Sequence, residues 1–268
     1  MIKSILGGLI LLASCVTMQG QTLHAIYFGQ TRDTSIGRSV YLDIIKWERA
    51  METMANGANL SLEVEMRTGP DCTCSELQRV IDGLDVGSND VIWFYYSGHG
   101  YNDTRDGCAF PSVGICRPSQ SVGQYCTLTQ QLRSKGARLT LVFGDLCNTA
   151  IPINDPTVAA TNEPLEMYKC YQELFLNHTG YITAVAASQH EYAYCDLKDG
   201  GYFTHFFLRT FHHHIKYTKA KDISWDLILK EVKTKVYNRS VGIVSGSARD
   251  DVTYQTPYYD INLRRVRQ

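Results

Sequence analysis

The spacing of apolar positions changes along this chain, and each change predicts an element. Leu60, Leu62, Val64 and Met66 alternate strictly with Ser61, Glu63 and Glu65. That period of two predicts a strand with one face in water, best placed at the edge of a sheet. Val40, Ile44, Trp47, Met51 and Met54 recur at helical spacing instead, which predicts a helix over Val40–Ala55 closed by Gly57. Four short runs are apolar almost throughout: Leu23–Phe28, Val91–Tyr96, Leu139–Phe143 and Tyr181–Ala187. Short continuous runs of this kind, rich in β-branched and aromatic residues and bounded by glycine or polar clusters, read as buried strands. Tyr254–Leu263 reads as a last strand.

Helices fall between these strands. Thr73 with Glu76 forms a capping box for a helix reaching about Leu84, and Thr127 with Gln130 looks like a second, ended by Gly136. Glu163–Asn177, Gly201–His214 and Ser224–Asn238 complete the set, the last with Trp225, Leu227, Ile228, Val232 and Val236 on its packed side. Strands alternating with helices predict an α/β fold around a mostly parallel sheet with right-handed crossovers. No repeat, low-complexity run or linker divides the chain. Residues 22–268 therefore read as one domain, and 268 residues are enough for a full core.

Two strands end in unusual turns. DVIWFYYSGHG, Asp90–Gly100, runs into a glycine-bracketed turn that presents His99. LTLVFGDLCNTA, Leu139–Ala150, runs out through Gly144 into a turn carrying Asp145 and Cys147. In an open parallel sheet, chemistry gathers beyond the carboxyl ends of the strands, and neighbouring strands lie about 4.8 Å apart. A histidine and a cysteine just past two such ends face each other across a cleft. Thiolate is the attacking form of cysteine, a free thiol has a pKa of about 8.5, and an adjacent imidazole can take its proton. A buried structural thiol is the commoner role for a lone cysteine, and a turn residue for a lone histidine. The pair at matching junctions is what points to catalysis.

These stretches carry a family resemblance. YYSGHG followed by a hydrophobic strand and DLC resembles the caspase-like cysteine peptidases, especially their metacaspase and bacterial branches. Ile182–Phe207 resembles that family's next strand, its ASQ turn and the Gly-x-Phe-Thr start of the following helix, and QTPYY, Gln255–Tyr259, resembles the last strand of bacterial members. The likeness covers residues 22–263. The family often has His-Ser-Gly after the cysteine, where this chain has Asn148-Thr149-Ala150.

The resemblance implies a caspase-hemoglobinase-like three-layer sandwich: six strands with helices on both faces, Leu60–Met66 outermost and the last strand antiparallel. It implies a cysteine endopeptidase with His99 as acid/base, Cys147 as nucleophile and the N–H groups of Gly100 and Cys147 as oxyanion donors. It implies a protein or peptide substrate and no cofactor. The position of Asp145 matches an acid that helps line the primary specificity pocket of metacaspase-like enzymes, which points to cleavage after Arg or Lys. Asp33, in the loop after the first strand, is the candidate for a second acid there, while Arg32 beside it argues for an acidic substrate residue instead. Asp145 can also be read as a carboxylate that binds turn amides. The rival function is a non-proteolytic caspase-like module that binds peptides or proteins.

Composition adds limits. A net charge of −1 implies neither nucleic acid nor an anionic membrane surface as partner, and 20 % charged against 44 % hydrophobic residues argues for a globular chain. Residues 1–20, with Lys3 ahead of an apolar stretch, read as a secretory signal. Within it, Leu12-Ala13-Ser14-Cys15 resembles a lipobox, so Cys15 is either a lipidated first residue or discarded. The expected location is exported: periplasmic, cell-surface lipoprotein or secreted, with the membrane involved only through Cys15. Export makes disulfides plausible among Cys72, Cys74, Cys108, Cys116, Cys126, Cys170 and Cys195, the three on the 101–126 loop being the best candidates. No metal site is expected; calcium at Asp103 and Asp106 is a weak option, and His212-His213-His214 read as a solvated helix end, since adjacent helical residues point in different directions. Between Arg138 and Lys198 the only Lys or Arg is Lys169, so an enzyme specific for those residues that cut itself in that segment would cut there, through a helix.

Overall fold

The computed structural model describes residues 20–102, 107–146, 149–150, 164–241, 243–244 and 252–266. Six strands form the main sheet: β1 (Thr22–Gly29), β2 (Ser61–Thr68), β3 (Val91–Gly98), β4 (Leu139–Leu146), β5 (His178–Val185) and β6 (Tyr258–Arg265). Their order across the sheet is β6-β5-β4-β3-β1-β2. All neighbours are parallel except β5 and β6. The alternating strand is the outer one, as its half-apolar pattern required.

Strand parity sorts the sheet into two faces. Leu23, Ala25 and Tyr27 of β1, Val91, Trp93 and Tyr95 of β3 and Leu139, Leu141 and Phe143 of β4 enter one core. Above them lie α1 (Gly37–Ala58), α4 (Pro164–Phe175), α5 (Tyr202–Tyr217) and α6 (Trp225–Ser240). Trp47 of α1 sits at the middle of this core, with ring centroids 5.0 Å from Trp93, 5.1 Å from Tyr95 and 5.3 Å from Phe207. Ile26, Phe28, Ile92, Phe94, Tyr96 and Val142 enter the opposite core, under α2 (Cys74–Gly83) and α3 (Tyr125–Ser134). The result is a three-layer α/β sandwich.

Several element ends differ from expectation. Gly57 is inside α1, which continues to Ala58 and closes on Asn59 at φ 57°. Glycine is needed at 57 for packing: a β-carbon there would stand 2.3 Å from the Tyr171 ring of α4. Strand β4 runs on through Gly144 and Asp145 to Leu146. The hydroxyl of Tyr125 fills the space beside Gly144 and donates to the Phe143 carbonyl at 3.2 Å. Thr73 does cap α2, accepting from the Glu76 amide at 3.2 Å. Thr127, by contrast, is inside α3, which begins at Tyr125. On α6, Leu229 is buried and Leu227 exposed. In the histidine run His212 and His213 are exposed, as expected, but His214 is buried between α5 and α6, bonded to Thr218 at 2.7 Å and Glu231 at 2.8 Å.

The described residues of the 101–126 segment have more order than a plain loop. Gly100–Tyr101 pairs with Ser112–Val113, and two disulfides hold the segment, Cys108–Cys126 across its base and Cys74–Cys116 to α2. Cys72 and Cys170 are buried thiols, pushed up to about 12 and about 11 by burial. A thiol so disfavoured as an anion is a packing residue.

Candidate active site

The site lies past the carboxyl ends of β3 and β4, where the register brings Ser97 opposite Asp145 and Gly98 opposite Leu146. His99 follows Gly98. Cys147 follows Leu146 in sequence but lies outside the described residues, as do Cys15, Asp103 and Asp106. Gly100 packs on Leu146: a β-carbon at 100 would be 2.9 Å from that of Leu146. Only a glycine lets the histidine turn approach the end of β4 this closely. A cleft lined by Gly100, Tyr101, Pro111, Leu146, Ser188 and Gln189 opens beside it.

The main chain of His99 is held from three sides. Its amide donates to Gln30 Oε1 at 2.6 Å. Its carbonyl accepts from the Tyr96 hydroxyl at 2.8 Å and from the Gly114 amide at 2.7 Å. The same Tyr96 hydroxyl lies 2.9 Å from Gln30 Oε1, so its one proton is shared by the two acceptors, and the Gln30 main-chain amide donates to the Ser97 carbonyl at 3.1 Å. The turn after β1 and the turn after β3 are thus bolted together.

Asp33 belongs to this assembly. Its Oδ2 lies 2.9 Å from His99 Nε2. Its Oδ1 accepts from the Ser35 amide at 2.8 Å, the Ser35 hydroxyl at 2.6 Å and the Ile36 amide at 3.1 Å. Burial acts on this carboxyl upward, but those hydrogen bonds and His99 outweigh it and hold it well below the usual carboxylate range. Arg32 lies beside Gly69, where a β-carbon would be 3.4 Å from its Nε.

The acid beside Asp145 is Asp43, from α1. Sequence reading missed it, although a signal was present: position 43 falls between Val40 and Trp47 on the buried stripe of α1. Asp43 accepts from the Ser97 hydroxyl at 2.9 Å and from the Gly201 amide at 2.9 Å. Asp145 accepts from the Thr204 amide at 2.9 Å, in the first turn of α5. The amide-binding reading of Asp145 therefore accounts for Oδ2. Its Oδ1 is buried with no hydrogen-bond partner among the described residues. Both carboxyls close on Gly201, where a β-carbon would stand 2.0 Å from Asp145 Oδ2. Burial, with the charge of Asp145 beside it, pushes Asp43 well above its ordinary value. Burial pushes Asp145 up to about 6, against its hydrogen bonds from Thr204. Two buried carboxyls this close disfavour being charged together, which is why both are pushed upward.

The caspase domain family model matches residues 48–266. This chain belongs to the caspase domain family of cysteine peptidases. The crystal structure of caspase-1 from Spodoptera frugiperda superposes with a TM-score of 0.56 over 90 % of this chain and 86 % of that one, at 11 % identity. At that identity the likeness concerns the fold. No curated protein sequence matches the chain. Within this caspase domain, β3 and β4 are neighbours and carry His99 and the approach to Cys147 at adjacent strand ends, while Asp33 and Asp43 come from residues ahead of the family match.

One more residue escaped sequence reading. Gln255 is fully buried, and its side chain accepts from the Tyr194 amide at 2.8 Å and donates to the Ala186 carbonyl at 2.9 Å. It ties the end of β5 to the Tyr194–Asp196 strand that leads to Gly201. The QTPYY stretch thus starts as a bracket, and β6 begins only at Tyr258.

Proposed function

We propose that this protein is an exported endopeptidase that uses Cys147 as nucleophile and His99 as acid/base, and that it cleaves after Arg or Lys. His99 takes the thiol proton, and the thiolate attacks the scissile carbonyl carbon. The N–H groups of Gly100 and Cys147 bind the oxyanion. As the C–N bond breaks, imidazolium returns a proton to the leaving amine. Water, deprotonated by His99, then cleaves the thioester to release the carboxylic acid and regenerate the thiol. No cofactor enters this scheme, and the partners are proteins or peptides.

The observation that carries the specificity is the buried Asp43–Asp145 pair with Asp145 Oδ1 unpartnered. A buried polar oxygen without a donor is costly. A guanidinium or ammonium from the substrate supplies donors and charge together and favours the ionised carboxylates. Export is supported by the two disulfides, which persist in oxidising compartments. Residues 1–20 are the proposed signal, with Cys15 as the one route to a lipid anchor.

A panel of fluorogenic peptides that vary the residue before the scissile bond tests this directly. Turnover is expected with Arg or Lys there and is expected to vanish in Cys147→Ala and in His99→Ala. Wild-type turnover by Cys147→Ala would favour the non-proteolytic module instead. The active form is proposed to be a single chain, because Lys169 sits in α4 with Glu166 at 3.7 Å and cutting there requires local unfolding. Equal masses for active protein and Cys147→Ala check this.

A further inference from the structure

We propose that Asp33 is a positioning residue for His99, a third member of the site that holds the imidazole with its proton on Nε2 and Nδ1 as the basic nitrogen. This rests on the peptidase reading above and adds a residue to it. The loop that carries Asp33 is the one whose Gln30 fixes the His99 main chain. Ring and backbone are therefore oriented from the same segment. Three donors converge on Asp33 Oδ1, so the carboxylate cannot rotate, and Oδ2 is aimed at Nε2 from 2.9 Å. The same donors keep Asp33 ionised across the pH range in which a peptidase works.

Stability is a poor explanation for the pair. The His99 side chain is 37 % exposed and that of Asp33 25 %, and ion pairs so open to water contribute little to folding. Orientation is the effect that the geometry favours. A neutral imidazole carries one proton, and it acts as base for a thiol only if that proton sits on the other nitrogen. A carboxylate at Nε2 selects that tautomer and also stabilises the imidazolium formed when the thiol ionises.

Asp33→Asn tests this while preserving the loop. The three donors from Ser35 and Ile36 require an oxygen at the Oδ1 position, so the amide nitrogen takes the place of Oδ2. It then donates to Nε2, and the ring proton is forced onto Nδ1. The expected result is a fall in kcat of about 10²-fold or more, with KM changed little and thermal unfolding unchanged. Nitrogen NMR of labelled histidine should show the His99 proton moving from Nε2 to Nδ1. Wild-type kcat in Asp33→Asn, with Cys147→Ala and His99→Ala inactive, overturns the proposal and leaves the peptidase reading intact. If Cys147→Ala itself keeps full turnover, the peptidase reading fails, and the NMR arm still decides: an unmoved tautomer in Asp33→Asn overturns the orienting role.

Discussion

Two groups of aspartates lie at the same end of the sheet and are driven in opposite directions. Asp33 is partly exposed, and one of its oxygens collects three donors. Asp43 and Asp145 are buried at 1 % exposure each, accept only a few hydrogen bonds and face one another around Gly201. The first is held as an anion, while the second pair retains a proton. Donor count and solvent access, not residue type, decide the charge of a carboxyl. In the function proposed above this becomes a division of labour: Asp33 supplies a permanent charge to His99, and Asp43 with Asp145 forms a socket whose charge develops when a cation arrives.

The largest effect is expected from Asp145→Asn. It should lower kcat/KM for Arg and Lys substrates by about 10²-fold or more, since removing one member of a buried charge pair costs about 2–5 kcal/mol. It should change kcat much less than Asp33→Asn does, and steady-state kinetics on one peptide separate the two. Unchanged kcat/KM would remove Asp145 from the socket. Next is Gly201→Ala. The added methyl would run into the Asp145 carboxyl, and overpacking of this kind costs about 1–3 kcal/mol. A lower unfolding temperature together with weaker binding of a basic competitive inhibitor is the expected reading.

The charge state itself gives the third prediction. Burial pushes Asp145 up to about 6 in the folded protein, against about 3.9 when unfolded. A raised carboxyl pKa means that the unfolded chain releases its proton first, so the pair's contribution to stability is present below about pH 4 and lost as pH rises through about 6. Asp145→Asn should therefore be more stable than the wild type at pH 7, by on the order of 2 kcal/mol, and lose that advantage at pH 4. Calorimetry at the two pH values checks the sign. The inhibition constant of an arginine-based inhibitor should fall over the same window, because the complex needs the ionised pair. The smallest effect is expected from Ser35→Ala. It removes one of the three donors on Asp33 Oδ1 and should lower kcat only a few-fold, as the two amides remain.

Parts of this comparison are legible in the residues. Continuing the inward parity of Trp93 and Tyr95 reaches Ser97, and continuing that of Leu141 and Phe143 reaches Asp145, so both lie on the face that α1 covers. The helical stripe of α1 puts Asp43 on that face as well. These signals depend on one period within one element. The partnership of Asp33 with His99 has no such signal. Asp33 sits in an aperiodic turn, and its neighbour Arg32 suggests the opposite chemistry.

By itself, the sequence determined the layers, the strands with their edge, the two strand ends that lead to His99 and Cys147, and the family. Each follows from local period, from glycine at the turns or from short motifs, and none requires distant residues to be placed. Tertiary structure alone decided which acid serves which site, because that depends on the loop after β1 folding onto the turn after β3 and on α1 crossing above Gly201. It also decided the charge of each carboxyl, since the number of donors that reach an oxygen and the water excluded from it are properties of the packed chain.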